Sequence, residues 1–220
     1  MQQSIFVLNA VNSVANQIFL ELRDKNAQLN RGNFKRNLVK LGQLMAYELS
    51  KSLHYRSVEV DTVLGRSSIN VIKQSPVFFT IIRAGIPFLQ GFLDYFEDSD
   101  CGFFGASRSE GKKEDIQIDL QYSSIPPFED QDMVVVDPML ATGNSLLTSL
   151  EQILQKGSPK MLHLAFAIAA PEGLANLKKN IKVPFRIWAG AVDQHLNQYG
   201  YIVPGLGDAG DLLYGTKSEK

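Results

Sequence analysis

The chain has 220 residues, a formal net charge of −1 and a single cysteine, Cys101. That length suits one domain with a sizeable core, and the near-zero charge leaves no broad electrostatic case for nucleic acid or an anionic membrane. One cysteine excludes an intramolecular disulfide and a multi-cysteine zinc site, which fits a cytoplasmic protein.

Residues 1–12 lack a basic segment followed by an apolar run and a small-residue cleavage site, so they do not read as a signal peptide. The longest apolar runs are far shorter than a membrane span. A first helix is expected over about Val11 to Arg23. In the next, Phe34, Leu38, Leu41 and Met45 share one face, with Asn33 as its N-cap.

Four short apolar runs then read as buried parallel strands: Val77 to Ile82, Met133 to Asp137, Leu162 to Ala169, and Arg186 to Val192. Between the first two, Ile116, Ile118 and Leu120 alternate with Gln117, Asp119 and Gln121. With Phe103 to Ser107 across a charged turn at Gly111 to Lys113, they predict a β-hairpin arm over about residues 102–122. Such an arm often contacts a second subunit. Ser145 to Lys156 has helical spacing, with Gly157 as its C-terminal stop. A strand, a helix and another strand imply a crossover and a parallel sheet. A further helix starts at Pro171 and Glu172 and runs to about Lys179. Thr216 to Lys220 is polar and is expected to fray. The fold class is α/β, a parallel sheet flanked by helices.

The segment that carries chemistry is Val134-Val135-Val136-Asp137-Pro138-Met139-Leu140-Ala141-Thr142-Gly143-Asn144-Ser145. A buried strand runs to an acid, and a loop of small and hydroxyl residues opens a helix. Ligands of open α/β sheets sit at the carboxyl ends of strands, and a loop leading into a helix N-terminus gathers N–H groups around an anion. Thr142 and Ser145 can add hydroxyl donors, and Asp137 can accept from sugar hydroxyls or hold Mg²⁺. No Gly-Lys-Ser/Thr follows, so this is not a Walker loop, and the three-glycine dinucleotide spacing is missing. The alternative is an ordinary strand–loop–helix connection with a capping hydroxyl.

This run resembles the loop of uracil phosphoribosyltransferases that binds 5-phosphoribosyl-1-diphosphate (PRPP), usually Asp-Pro-Met-Leu-Ala-Thr-Gly-Gly-Ser. A longer match, Gly200-Tyr201-Ile202-Val203-Pro204-Gly205-Leu206-Gly207-Asp208-Ala209-Gly210-Asp211, resembles the family's uracil-binding segment. Tyr214 to Lys217 resembles its C-terminal close, and Ile82-Arg83-Ala84-Gly85 its Leu-Arg-Ala-Gly loop. Ala46-Tyr47-Glu48, Ala169 to Gly173 and Asp193 to Asn197 are similar as well.

The resemblance implies a type I phosphoribosyltransferase-like fold and the conversion of uracil and PRPP to UMP and pyrophosphate, with Mg²⁺ riding on PRPP rather than held directly by the protein. It implies a PRPP site of Asp137, Pro138, Met139, Leu140, Ala141, Thr142, Gly143, Asn144 and Ser145, joined by Arg83, Arg108 and Asp208. Uracil would meet Ile202, Gly207, Asp208 and Ala209. Arg83, Asp137 and Asp208 are the implied catalytic groups. It implies a homodimer or higher oligomer, with a dimer expected through the hairpin arm, and a GTP effector as in some members, for which Arg31, Lys35 and Arg36 are a partial fit.

The sequence departs from the family at four places. Asn144 replaces the second glycine of the loop; Asn tolerates left-handed dihedrals better than most residues, and its side chain adds bulk beside the phosphate. Ser107-Arg108-Ser109-Glu110 replaces Tyr-Arg-Asp-Glu, Ile86-Pro87-Phe88 replaces Leu-Gly-Met, and the usual lysine after Tyr122 is missing. These motivate two alternatives: a regulatory protein that binds uracil, UMP or PRPP without turnover, and a transferase for another base. His54, His163 and His195 show no metal-ligand spacing and read as core or surface residues.

Overall fold

A computed structural model of the chain describes residues 5–108 and 118–216. The chain runs through β1 (Ile5–Val7), α1 (Ala15–Arg23), α2 (Arg31–Ser50), β2 (Tyr55–Thr62), β3 (Gly65–Ile72), β4 (Val77–Ile82), α3 (Ile86–Leu93), β5 (Cys101–Arg108) and β6 (Ile118–Ser124). It continues through β7 (Asp132–Leu140), α4 (Asn144–Leu154), β8 (Met161–Ala169), α5 (Pro171–Asn180), β9 (Phe185–Val192), β10 (His195–Leu196), β11 (Ile202–Val203) and α6 (Ala209–Tyr214).

Seven strands form the central sheet in the order β1-β9-β8-β7-β4-β5-β6. All neighbours pair in parallel except β5 with β6. The four apolar runs are its inner strands β4, β7, β8 and β9. They lack alternation because both faces are covered. Phe78, Val134, Val136 and Ala165 pack on one side with Phe34, Leu38, Leu41 and Met45 of α2 and Phe88 and Phe92 of α3. Phe79, Met133, Val135 and Leu164 pack on the other with Leu150 and Ile153 of α4 and Leu174 and Leu177 of α5. Successive residues of one strand serve opposite layers, as the pleat requires.

The hairpin at residues 102–122 is present as β5 and β6. They pair antiparallel at the sheet edge, with a register shift between Gly105 and Ala106. The turn at Gly111 to Lys113 lies outside the described residues, as do Ser109, Glu110, Ile116 and Gln117. A second hairpin was not foreseen. β2 and β3 pair over eight residues each as a separate two-stranded sheet, exposed along nearly all its length.

Three local expectations are corrected. The cap of α2 is Asn30, whose side chain accepts from the Asn33 N–H at 3.0 Å; Asn33 lies in the first turn. The first helix begins at Ala15, four residues after Val11. α4 ends at Leu154 with Gln155 as its C-cap, and Gly157 is not among the glycines with positive φ. Of the C-terminal tail, only Thr216 is described, and it is exposed.

Candidate active site

Parallel strands bring their carboxyl ends to one edge. Leu140 of β7 is in register with Ala169 of β8, and Ala169 with Val192 of β9. The chain leaves all three in step: the Ala170 N–H donates to Leu140 O at 2.8 Å, and the Asp193 N–H to Ala169 O at 2.8 Å. β4 delivers Arg83 to the same edge, held to β7 by a bond from Thr80 Oγ1 to Val136 O at 2.6 Å.

The loop after β7 runs directly into the N-terminus of α4. Asp137 is partly exposed where the strand leaves the core, and its Oδ1 accepts from the Met139 N–H at 3.1 Å. Gly143 is the N-cap of α4 in left-handed backbone, φ 80° and ψ 0°. A side chain is strained there, so the loop needs glycine at this point. Its N–H groups and those of the first turn of α4 lead into the positive end of the helix. Thr142 and Asn144 are exposed, Pro138, Leu140 and Gly143 are buried, and Met139, Ala141 and Ser145 are in between.

Asn144 does not take the left-handed position expected of it. It is the first residue of α4, and its Oδ1 accepts from Asn176 Nδ2 at 3.0 Å. The side chain is turned onto α5.

The C-terminal segment folds back onto the same edge. Ile202, Leu206, Ala209 and Leu213 are buried in the large cluster that also holds α2 and α3, and Ala84, Met139 and Ala141 are among the partly buried residues packed on that cluster. The Gly205 N–H reaches Asp193, just past β9, and the Gln194 N–H reaches Val203 O. Gly205 and Gly207 have positive φ, 63° and 84°, and the Val203–Pro204 peptide is cis. Gly207 and Asp208 are exposed, whereas Ile202 and Ala209 are 4% and 2% exposed. The Asp208 carboxylate accepts from the Asp211 N–H at 3.0 Å and caps α6. That structural duty belongs beside any role toward a ligand.

Arg83 is exposed, and its guanidinium carbon lies 5.4 Å from the ring centroid of Tyr214. Burial pushes the Tyr214 phenol up, and Arg83 opposes that in part. The backbone of Arg108 ends β5, paired with Ile118; its side chain is outside the described residues.

Residues that sequence reasoning missed support the segment from behind. Asp193, 9% exposed, accepts from Arg23 Nη2 at 2.6 Å, from Arg23 Nη1 at 2.9 Å and from the Gly205 N–H at 2.8 Å. Arg23 Nη1 also donates to Gly205 O at 3.0 Å, and Gln28 Nε2 to Leu206 O at 2.9 Å. Glu172 accepts from the Leu196 N–H at 2.9 Å, which with the Glu172 N–H holds its carboxyl below the usual range. The one signal available was Asp193 itself, inside the family-like Asp193 to Asn197. His163 is buried on β8, and His54 and His195 are exposed, consistent with a core residue and two surface residues.

The sequence model of the family described as uracil phosphoribosyltransferase matches residues 11–216. The chain belongs to the uracil phosphoribosyltransferase family. A uracil phosphoribosyltransferase of Porphyromonas gingivalis is 38% identical over 210 residues, 96% of this chain and 97% of that one. One from Thermococcus gammatolerans is 40% identical over 203 residues, covering 91% and 88%. A solved structure of the AQ2163 protein from Aquifex aeolicus superposes with a TM-score of 0.84 at 33% identity, over 98% of this chain and 100% of that chain. A hypoxanthine-guanine phosphoribosyltransferase from Bacillus anthracis, at 13% identity and a TM-score of 0.50, shares the fold alone. The fold is therefore that of the type I phosphoribosyltransferases. Among the described residues, no helix is long and apolar enough to cross a membrane.

Proposed function

We propose that this chain joins uracil to the ribose of PRPP, releasing pyrophosphate and forming UMP, at the carboxyl edge of its parallel sheet. The observation that supports this is that two segments leave the same sheet edge: the Ala141 to Ser145 loop follows β7, and the Ile202 to Tyr214 segment is bonded to Gln194 and Asp193 just after β9 and is reached by Arg83 after β4.

In the reaction the bond from the ribose anomeric carbon to the pyrophosphate oxygen breaks, the bond from that carbon to uracil N1 forms, and the N1 proton passes to the departing pyrophosphate or to solvent. Charge develops on the sugar ring as in other glycosyl transfers. The protein's part is positioning and electrostatics. N–H groups of residues 141–145, with Thr142 and Ser145, hold the 5′-phosphate. Asp137 accepts from the ribose hydroxyls. Arg83 and Arg108 meet the pyrophosphate, for which a guanidinium fork is well shaped. Backbone groups of Ile202, Gly207, Asp208 and Ala209 read the donor and acceptor edge of uracil. The Asp208 carboxylate orients the base and offsets ring charge while it caps α6.

Mg²⁺ enters with PRPP. Among the described residues, no group of three or more His, Cys, Asp or Glu could hold a metal. Asp137, partly exposed towards the end of β7, is the carboxylate that would meet an ion carried in on PRPP. The ion would neutralise charge on the departing pyrophosphate.

Purified protein supplied with uracil, PRPP and Mg²⁺ is expected to release pyrophosphate and UMP in equal amounts. No UMP would overturn the proposal. Binding without turnover would favour a sensor, and preference for guanine or hypoxanthine a different transferase.

The same reading extends to a homodimer in the cytoplasm. The turn of the 102–122 arm expected to join the subunits lies outside the described residues; among the described ones, Val63 and Leu64, at the tip of the β2–β3 hairpin, are 100% and 98% exposed. A second copy of the chain would cover such an apolar tip. Light scattering is expected to give at least a dimer, reduced to monomer in Val63→Ser/Leu64→Ser; a wild-type monomer contradicts it. GTP as an activator rests on the exposed Arg31, Lys35 and Arg36 of α2. Rates unchanged by GTP would remove that part.

A further inference from the structure

Asn176 of α5 lies outside the strand ends and has no part in the chemistry described above, yet it grips the phosphate loop. Its Nδ2 donates to Thr142 O at 2.8 Å and to Asn144 Oδ1 at 3.0 Å. Asn180 Nδ2 in turn donates to Asn176 Oδ1 at 2.7 Å and to Asn176 O at 2.9 Å. The Asn176 amide is thereby oriented from behind, with its donor end aimed at the loop. Three residues earlier on the same helix, Gly173 lies so close to Ala141 that any side chain would collide with the Ala141 carbonyl oxygen. α5 thus restrains the loop at Ala141, Thr142 and Asn144.

The bond to Thr142 O matters most. In a trans peptide, the carbonyl and the N–H that follows point in opposite directions. Holding the Thr142 carbonyl on α5 turns the Gly143 N–H away from α5. Gly143 has no side chain to resist a flip of this peptide, and a flipped peptide would present a carbonyl oxygen to an anion. Something outside the loop must select the orientation that donates.

We propose that Asn176 is a positioning residue for the 5′-phosphate of PRPP, holding the Thr142–Gly143 peptide with its N–H toward the phosphate. This rests on the reading of residues 141–145 as the 5′-phosphate site.

The test compares ligands that carry a sugar phosphate with one that does not. Asn176→Ala in the full chain is expected to raise KM for PRPP about three- to tenfold, with kcat and KM for uracil within about twofold. By calorimetry, affinity for ribose 5-phosphate should fall by the same factor, with affinity for pyrophosphate unchanged. Asn176→Gln, which keeps the donor, should recover part of the loss. Asn144→Gly removes one acceptor but spares Thr142 O, so its effect should be smaller. Unchanged ribose 5-phosphate affinity, or an equal loss for pyrophosphate, overturns the proposal. If Asn176→Ala does not fold, Asn180→Ala removes only the backing bonds and should show the same selectivity; a loss without selectivity counts against it. A wild-type protein that makes no UMP would defeat the functional reading, while the calorimetric comparison would still decide this one.

Discussion

Arg83 lies over the ring of Tyr214, its guanidinium carbon 5.4 Å from the centroid, so the loop after β4 touches the last turn of α6. The contact joins the arm of the site assigned to pyrophosphate to the segment assigned to uracil. Arg83→Ala is expected to lower kcat about 100- to 1,000-fold, the usual effect of removing one aimed donor at a developing charge. Arg83→Lys should recover only part, since an ammonium lacks the planar fork. Tyr214→Phe keeps the ring and should stay within about twofold, whereas Tyr214→Leu should raise KM for PRPP about two- to fivefold. Steady-state kinetics with each substrate varied would check all four.

Asp193 is a support for the base segment. It holds both the Arg23 guanidinium and the Gly205 N–H. Asp193→Ala leaves the Gly205 N–H without its acceptor and the Arg23 cation with Gly205 O but no carboxylate, and should cost about 3 kcal/mol. For a chain of this size that is a fall in Tm of about 6–12 °C. KM for uracil should rise while KM for PRPP holds, because the loop proposed to take the 5′-phosphate is anchored separately on α5. Thermal unfolding followed by circular dichroism, with kinetics on the folded variant, would show both effects.

Glycine at two positions is set by geometry rather than by contact with substrate. Gly143 has φ 80°, and Gly143→Ala is expected to cost about 1 kcal/mol in stability from left-handed strain and to raise KM for PRPP. Gly173→Ala would push on the Ala141 carbonyl and displace the loop without touching any ligand. Its KM for PRPP should rise at least as much as in Asn176→Ala. Wild-type affinity in Gly173→Ala would show that the loop tolerates the shift.

The strands and the β7–α4 loop were legible because burial on both faces leaves unbroken apolar runs, and because Asp137 to Ser145 is a contiguous motif. What was missed lacks such a signal. Val58 and Val60 alternate with polar residues in β2, but Val63 and Leu64 fill its turn in place of an Asn-Gly pair. Ile69 and Val71 alternate likewise in β3, with Val58 opposite Ile69, so the alternation is present and only the turn signal is missing. β1 is three residues long. The cap of α2 slipped from Asn30 to Asn33 because both are cap-forming residues, and only geometry shows which accepts and which donates. Arg23 and Gln28 act on residues 170 to 182 positions away. Asn176 reads as one more polar residue on the outer face of a helix.

His163 gives the fold a dependence on acid. It is 1% exposed, its imidazole is lowered from 6.5 to about 4 by burial and then by Arg186, and its Nδ1 accepts from Trp188 Nε1 at 3.1 Å. The folded chain resists a proton that the unfolded chain takes up. The stability this contributes is present above about pH 6.5 and is lost as pH falls toward about 4. The difference is on the order of 3 kcal/mol. Denaturant unfolding at pH 7 and pH 4.5 should show the loss in wild type and a flatter dependence in His163→Gln, which keeps an acceptor but does not titrate. Equal dependence in both would place the acid sensitivity elsewhere.

The most direct test of the site is a crystal structure of the protein with UMP. The phosphate is expected on the N–H groups of residues 141–145, the ribose hydroxyls beside Asp137, and the uracil edge against residues 202–209. A nucleotide bound with its phosphate away from Thr142 and Gly143, or with its base clear of Gly207 and Asp208, would contradict the account.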